Sequence, residues 1–196
     1  MNKHNWSRFL AAAAATFAAV AASATPVGVT VNGIPLDSGG SYGAGWSYDP
    51  DSSTLFLFGT EPFTLSGMNK SGGVCVVVLD GATNTVTLSN LTLRAAGTNQ
   101  CAFALGTGAN VSLFLAGENT LASGYYRAGL EVAAGRTLSI THAPGDDAAA
   151  LAVTGGGYGA GIGGGSYGTG GAVTINGGTV TATGGYSGAG IGGGGA

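Results

Sequence analysis

The feature that most constrains this chain is a repeat. Gly159-Ala160-Gly161-Ile162-Gly163-Gly164-Gly165 recurs as Gly188-Ala189-Gly190-Ile191-Gly192-Gly193-Gly194, with Ile162 and Ile191 29 positions apart. Ala128-Gly129-Leu130 stands 32 positions before Ala160-Gly161-Ile162. Further upstream, Gly108, Val111 and Leu113 reappear as Gly135, Leu138 and Ile140, and Val78 and Gly81 precede Leu105 and Gly108, all at a spacing of 27. A self-similar period of this length means stacked supersecondary units that bury their apolar faces on one another.

Short segments within each unit alternate apolar and small polar residues: Val86-Thr87-Leu88, Val111-Ser112-Leu113, Leu138-Ser139-Ile140 and Val173-Thr174-Ile175. A second set follows: Leu91-Thr92-Leu93, Asn119-Thr120-Leu121, Leu151-Ala152-Val153 and Thr179-Val180-Thr181. Period 2 with β-branched residues predicts strands with one buried face. Glycine or asparagine between the sets supplies tight corners. The expected fold is all-β, a right-handed parallel β-helix (β-solenoid) of about four rungs over residues 74–196. Its rungs would lie about 4.8 Å apart. Like charges would then recur at that spacing in every stacked column, which accounts for only 8% charged residues alongside 40 glycines.

Residues 25–73 do not share the period. Asn32-Gly33 is a tight-turn signal, and Trp46-Ser47-Tyr48 with Leu55-Phe56-Leu57-Phe58 reads as a hairpin. This segment is expected to form an N-terminal β-hairpin cap, with Trp46, Tyr42 and Tyr48 in its core. The sequence stops inside a glycine-rich corner at Gly195-Ala196, so truncation or missing rungs are expected there.

Residues 1–24 have the plan of a cleaved export signal: Lys3 and Arg8, the apolar stretch Phe9 to Ala22, and the small-residue site Ala22-Ser23-Ala24. That stretch of 14 residues is too short for a membrane span. Removal leaves 172 of 196 residues, with four of the six basic side chains and all nine acidic ones, a net charge of -5. A secreted or cell-surface protein is expected, without a membrane span in the mature chain. That charge balance excludes nucleic-acid binding by a basic surface.

The candidate binding residues are aromatic. Tyr126 lies four residues before Leu130, Tyr158 four before Ile162 and Tyr186 five before Ile191, with Tyr125 alongside. Stacked rungs would set these rings in a ladder whose apolar faces suit pyranose C–H groups; the competing role is to fix rung register. Arg127 beside them is a candidate contact for an acidic sugar. Asp49-Pro50-Asp51-Ser52-Ser53 spaces oxygen ligands as calcium loops do, with Asp49 and Asp51 as candidates, although an ordinary Asp-Pro turn is the favoured reading. No cofactor is otherwise expected. Cys75 and Cys101, 26 apart, are either a disulfide between adjacent rungs or two buried thiols.

Catalysis is disfavoured. Gly159-Ala160-Gly161-Ile162-Gly163-Gly164 spells a dinucleotide fingerprint, yet no helix follows it to face a pyrophosphate. Gly164-Gly165-Ser166-Tyr167-Gly168 spells a nucleophile elbow, but His142, the one histidine outside the leader, precedes it. Arg94, Arg127 and Arg136 fall at different rung positions, so they are not expected to converge as a lyase would need.

The run from Val86 to Gly156, with its strand, Asn turn, strand and Ala-Gly-Leu cycle, resembles the carbohydrate-binding β-helix domains of bacterial surface proteins, which share the pectate-lyase-like fold. The Gly-Ala-Gly-Ile-Gly-Gly-Gly units are similar to those of secreted surface proteins and adhesins. The resemblance spans residues 74–196 and implies a right-handed parallel β-helix, binding of acidic plant polysaccharide, and involvement of calcium; clustered acidic columns are missing here. The expected function is a secreted or surface-displayed, noncatalytic β-solenoid that binds polysaccharide or mediates adhesion. A structural spacer or stalk of a larger surface protein is the alternative, and a polysaccharide lyase is a distant third.

Overall fold

A computed structural model describes residues 26–69 and 73–196, so the expected leader at residues 1–24 lies outside the described residues. Among the described residues the chain is all β, in eighteen strands, with no helix long and apolar enough to cross a membrane. The strands form two mixed sheets, an arrangement compatible with a β-solenoid.

The first sheet is built around β8 (Thr83–Arg94). Its first half pairs in parallel with β10 (Asn110–Ala116), followed outward by β13 (Thr137–His142) and β16 (Ala172–Ile175). Its second half pairs in parallel with β11 (Glu118–Ala122), followed by β14 (Ala150–Thr154) and β17 (Thr179–Thr183). One strand therefore serves both of the expected segments, bending at Asn90, which has a φ of 50°. Asparagine tolerates this left-handed backbone better than most residues.

In the second sheet, β5 (Thr54–Leu57), β7 (Cys75–Val78), β9 (Phe103–Leu105), β12 (Leu130–Glu131), β15 (Ile162–Gly163) and β18 (Ile191–Gly192) all run parallel. The 27-residue spacing is the hydrogen-bonded register itself: Val78 faces Leu105, and Leu113 faces both Val86 and Ile140. Period-2 alternation puts one face of each strand inward, and the parallel register then stacks equivalent side chains. One inward column runs through Leu55, Val76, Phe103, Leu130, Ile162 and Ile191. Its first five members are fully buried, each contributing about 1.5–3 kcal/mol by leaving water.

The antiparallel pairs gather at the N-terminal end. β1 (Pro26–Val31) pairs with β2 (Ile34–Asp37) across Asn32-Gly33, both with positive φ, the geometry of a tight hairpin. β3 (Ser41–Gly43), β4 (Trp46–Asp49) and β5 form an antiparallel meander. Trp46 and Tyr48 enter the core as expected, but Tyr42 points into solvent. Parallel pairing starts inside the expected cap: β5 lies along β7, and β6 (Phe63–Met68) along β8.

Buried asparagine supports one corner. Asn119 accepts from the Leu91 amide at 2.9 Å and donates to the carbonyls of Ala116, Gly117 and Ala150. Its side chain therefore satisfies main-chain groups in neighbouring strands, which the interior otherwise leaves without water.

Candidate functional site

The tyrosines lie in the connections that lead into the second sheet. Residues 123–129 join β11 to β12, residues 155–161 join β14 to β15, and residues 184–190 join β17 to β18. The main chains of these connections lie directly against one another: Tyr158 N donates to Tyr125 O at 3.0 Å, and Gly156 N to Arg127 O at 2.9 Å. A Cβ at Gly159 would collide with the Arg127 carbonyl, and one at Gly156 with the Gly124 carbonyl. Glycine is required here because two backbones approach too closely for any side chain.

Register decides which rings meet. Leu130 pairs with Ile162, so Tyr126 falls opposite Tyr158, and their rings stack at 5.9 Å with planes 7° apart. Tyr125 stands edge-on to both, at 5.0 Å from Tyr126 and 5.2 Å from Tyr158. Its hydroxyl is held above the usual phenol value, chiefly by a hydrogen bond with the Tyr158 side chain. Ile162 pairs with Ile191, which sets Ser187, rather than Tyr186, opposite Tyr158. Tyr186 instead shares the position of Gly157, and it is almost wholly exposed. The expected three-ring ladder is thus a cluster of Tyr125, Tyr126 and Tyr158, with Tyr186 outside it.

Sequence reasoning missed Tyr167. Glu131 to Gly163 is a step of 32, whereas Thr137 to Ala172 is a step of 35, so the connection after β15 carries three extra residues. The lengthened loop folds back on the cluster: Ser166 N donates to Tyr126 O at 2.8 Å, and Tyr167 N to Gly195 O at 2.8 Å. Tyr167 has a φ of 57°, a costly conformation for a bulky residue, and it is strongly exposed. Tyr126, Tyr158, Ser166, Tyr167 and Ala196 line an open cleft of about 200 Å³. The available signal was the change in repeat length, which marks an insertion on one face of a stack.

Arg127 belongs to the same corner, but its guanidinium is engaged. Its Nη2 donates to Glu131 Oε1 at 2.8 Å across a partly exposed ion pair. Glu131 itself is nearly buried, and its Oε2 has no hydrogen-bond partner.

The other candidates lie elsewhere. Asp49 spends both carboxylate oxygens on its own turn, accepting from Asp51 N at 3.0 Å and from Ser52 Oγ at 2.8 Å. Among the described residues no group of three or more His, Cys, Asp or Glu side chains could hold a metal ion. Cys75 and Cys101 are both free thiols, which corrects the disulfide alternative. The reason is register: Val76 pairs with Phe103, so Ala102 is the residue across from Cys75, and a spacing of 26 falls one short. Cys101 Sγ instead lies 3.0 Å from the carbonyl oxygens of both Phe103 and Ala128, which share its single S–H. Burial pushes the Cys75 thiol up to about 11 and the Cys101 thiol up to about 12. Buried, protonated thiols are poor nucleophiles.

Compared with known proteins, the chain matches no family model, no curated protein and no solved structure.

Proposed function

We propose that this chain is a secreted or surface-displayed, noncatalytic module that binds polysaccharide or mediates adhesion through its tyrosine corner. In this reading the parallel ladders make up a right-handed parallel β-helix of about four rungs, closed at one end by the hairpins of residues 25–73. The observation that supports binding most directly is the near-parallel pair of Tyr126 and Tyr158 rings at the open cleft, with exposed Tyr167 beside them. Flat apolar faces with hydroxyl edges match the C–H faces and hydroxyl rim of a pyranose. Most small-molecule pockets enclose about 300–1,000 Å³, so a smaller open cleft suits one or two rings of a long chain.

A second reading, a structural spacer in a larger surface protein, draws on a different observation. Tyr125 packs edge-on against both Tyr126 and Tyr158, so the cluster also clamps successive connections together.

Glycan-array screening followed by calorimetric titration separates the two. Replacing both Tyr126 and Tyr158 with alanine is expected to weaken polysaccharide affinity at least tenfold, about 1.4 kcal/mol, with the circular dichroism of the fold retained. Absence of binding to every polysaccharide tested favours the spacer. Release of unsaturated sugars from pectin-like substrates would establish the lyase instead.

A further inference from the structure

The tyrosine corner contains a cation that is already paired. We infer that the site takes uncharged sugars, and that Glu131 sets this preference by neutralising Arg127. This inference rests on the polysaccharide reading above and names its substrate class.

Four observations lead to it. Arg127 is held by Glu131 at 2.8 Å, with side-chain exposures of 37% for the arginine and 12% for the glutamate. The acid is thus the better-shielded partner, and the more exposed guanidinium belongs to the residue that follows Tyr126 in the chain. Arg127 Nε and Glu131 Oε2 are buried and without hydrogen-bond partners, so the pair has no polar environment to soften separation. The side chains that line the cleft, those of Tyr126, Tyr158, Ser166 and Tyr167 among them, are all uncharged. Finally, Asp147 carries the last charged side chain of the sequence, so the segments that bring Tyr158 and Tyr167 to the corner add no charged side chain.

The lengthened loop keeps the pair in place. A Cβ at Gly165 would stand 3.2 Å from Glu131 Oε2 and 3.0 Å from the Tyr126 carbonyl. The loop main chain therefore lies over the carboxylate and shields it from water. A uronate entering the cleft would have to compete with Glu131 for the guanidinium. Breaking such a pair leaves a nearly buried carboxylate without its counter-charge, which is strongly unfavourable. A neutral pyranose needs only ring faces and hydroxyl partners, and the tyrosines and Ser166 offer both. Arginine with its charge free would favour the acidic sugar through a two-point contact. Glu131 removes that advantage.

The test uses the full chain, a neutral β-linked glucose tetramer, a galacturonate tetramer, and low and high salt. The unaltered protein is expected to bind the neutral tetramer at least tenfold more tightly than the uronate. Glu131→Gln keeps the shape of the side chain and frees the guanidinium. It should raise uronate affinity about tenfold relative to neutral sugar at low salt, and added salt should erase the gain. The double variant Arg127→Ala, Glu131→Gln should lose it. A readout without sugar accompanies these: quenching of tyrosine fluorescence by iodide should rise in Glu131→Gln relative to quenching by caesium. Uronate preference in the unaltered protein overturns the substrate class while leaving polysaccharide binding intact. Binding of neither tetramer overturns the substrate class, and absence of binding across the glycan array as well overturns the polysaccharide reading with it. No change in either the sugar ratio or iodide quenching overturns the role of Glu131.

Discussion

Phe103 and Ile191 stand in one column of the second sheet, yet Phe103 is fully buried and Ile191 is 49% exposed. The same contrast separates whole strands. β10 and β13 bury every inward valine, leucine and isoleucine, whereas Val173 and Val180 of β16 and β17 are only partly buried and Ile175 is exposed. The residue types and their alternation are alike in both regions. What differs is the number of neighbours: among the described residues β9 has a parallel strand on each side, while β18 pairs with β15 alone. In a stacked fold the burial of a side chain is a property of the copy before and the copy after it, more than of its own segment.

Truncating the column tests this most severely. Phe103→Ala is expected to lower unfolding free energy by about 3–5 kcal/mol, and Ile191→Ala by less than about 1 kcal/mol, both measured by urea denaturation. Equal losses would break the comparison and show that strand identity matters more than position in the stack. Next in size is the glycine corner. Gly159→Ala pushes a methyl group onto the Arg127 carbonyl and should cost about 1–3 kcal/mol as overpacking does.

A pH-dependent effect comes from the thiols, Cys101 buried and Cys75 partly so. Their folded pKa values lie above the ordinary 9.0, chiefly through burial. Stability from keeping them neutral is complete below pH 9 and is lost as pH rises through about 11 to 12. At pH 10 each thiol should withdraw about 1.4 kcal/mol relative to pH 8. Replacing Cys101 with alanine should remove its share of that slope in urea titrations at the two pH values. An unaltered slope would place the alkaline sensitivity elsewhere in the molecule.

The stacking was legible in the sequence because its period is a physical register. Val78 to Leu105 and Leu113 to Ile140 are 27 apart in the chain and face one another in the sheets. The site was legible only where that period held. Tyr126 and Tyr158 meet because their spacing equals the local step of 32. Tyr186 misses by one residue because the next step is 29. The cysteines miss by one for the same reason, since a single-residue slip along a strand turns a side chain to the other face. Tyr167 and Glu131 were hidden differently. The first arrives through a three-residue insertion, and the second is an acidic residue on a two-residue strand, with no alternation to mark its direction.

The glycine corner has a consequence for how such a protein can change over generations. Positions such as Gly156 and Gly159 admit no replacement without moving a neighbouring main chain, so mutation there is purged whatever the ligand. Tyr125, Tyr126 and Tyr186 project outward from that same frame and can be exchanged singly, with the hydrogen bonds beneath them undisturbed. A rigid backbone with swappable outward positions lets descendants acquire new tastes in ligand one codon at a time.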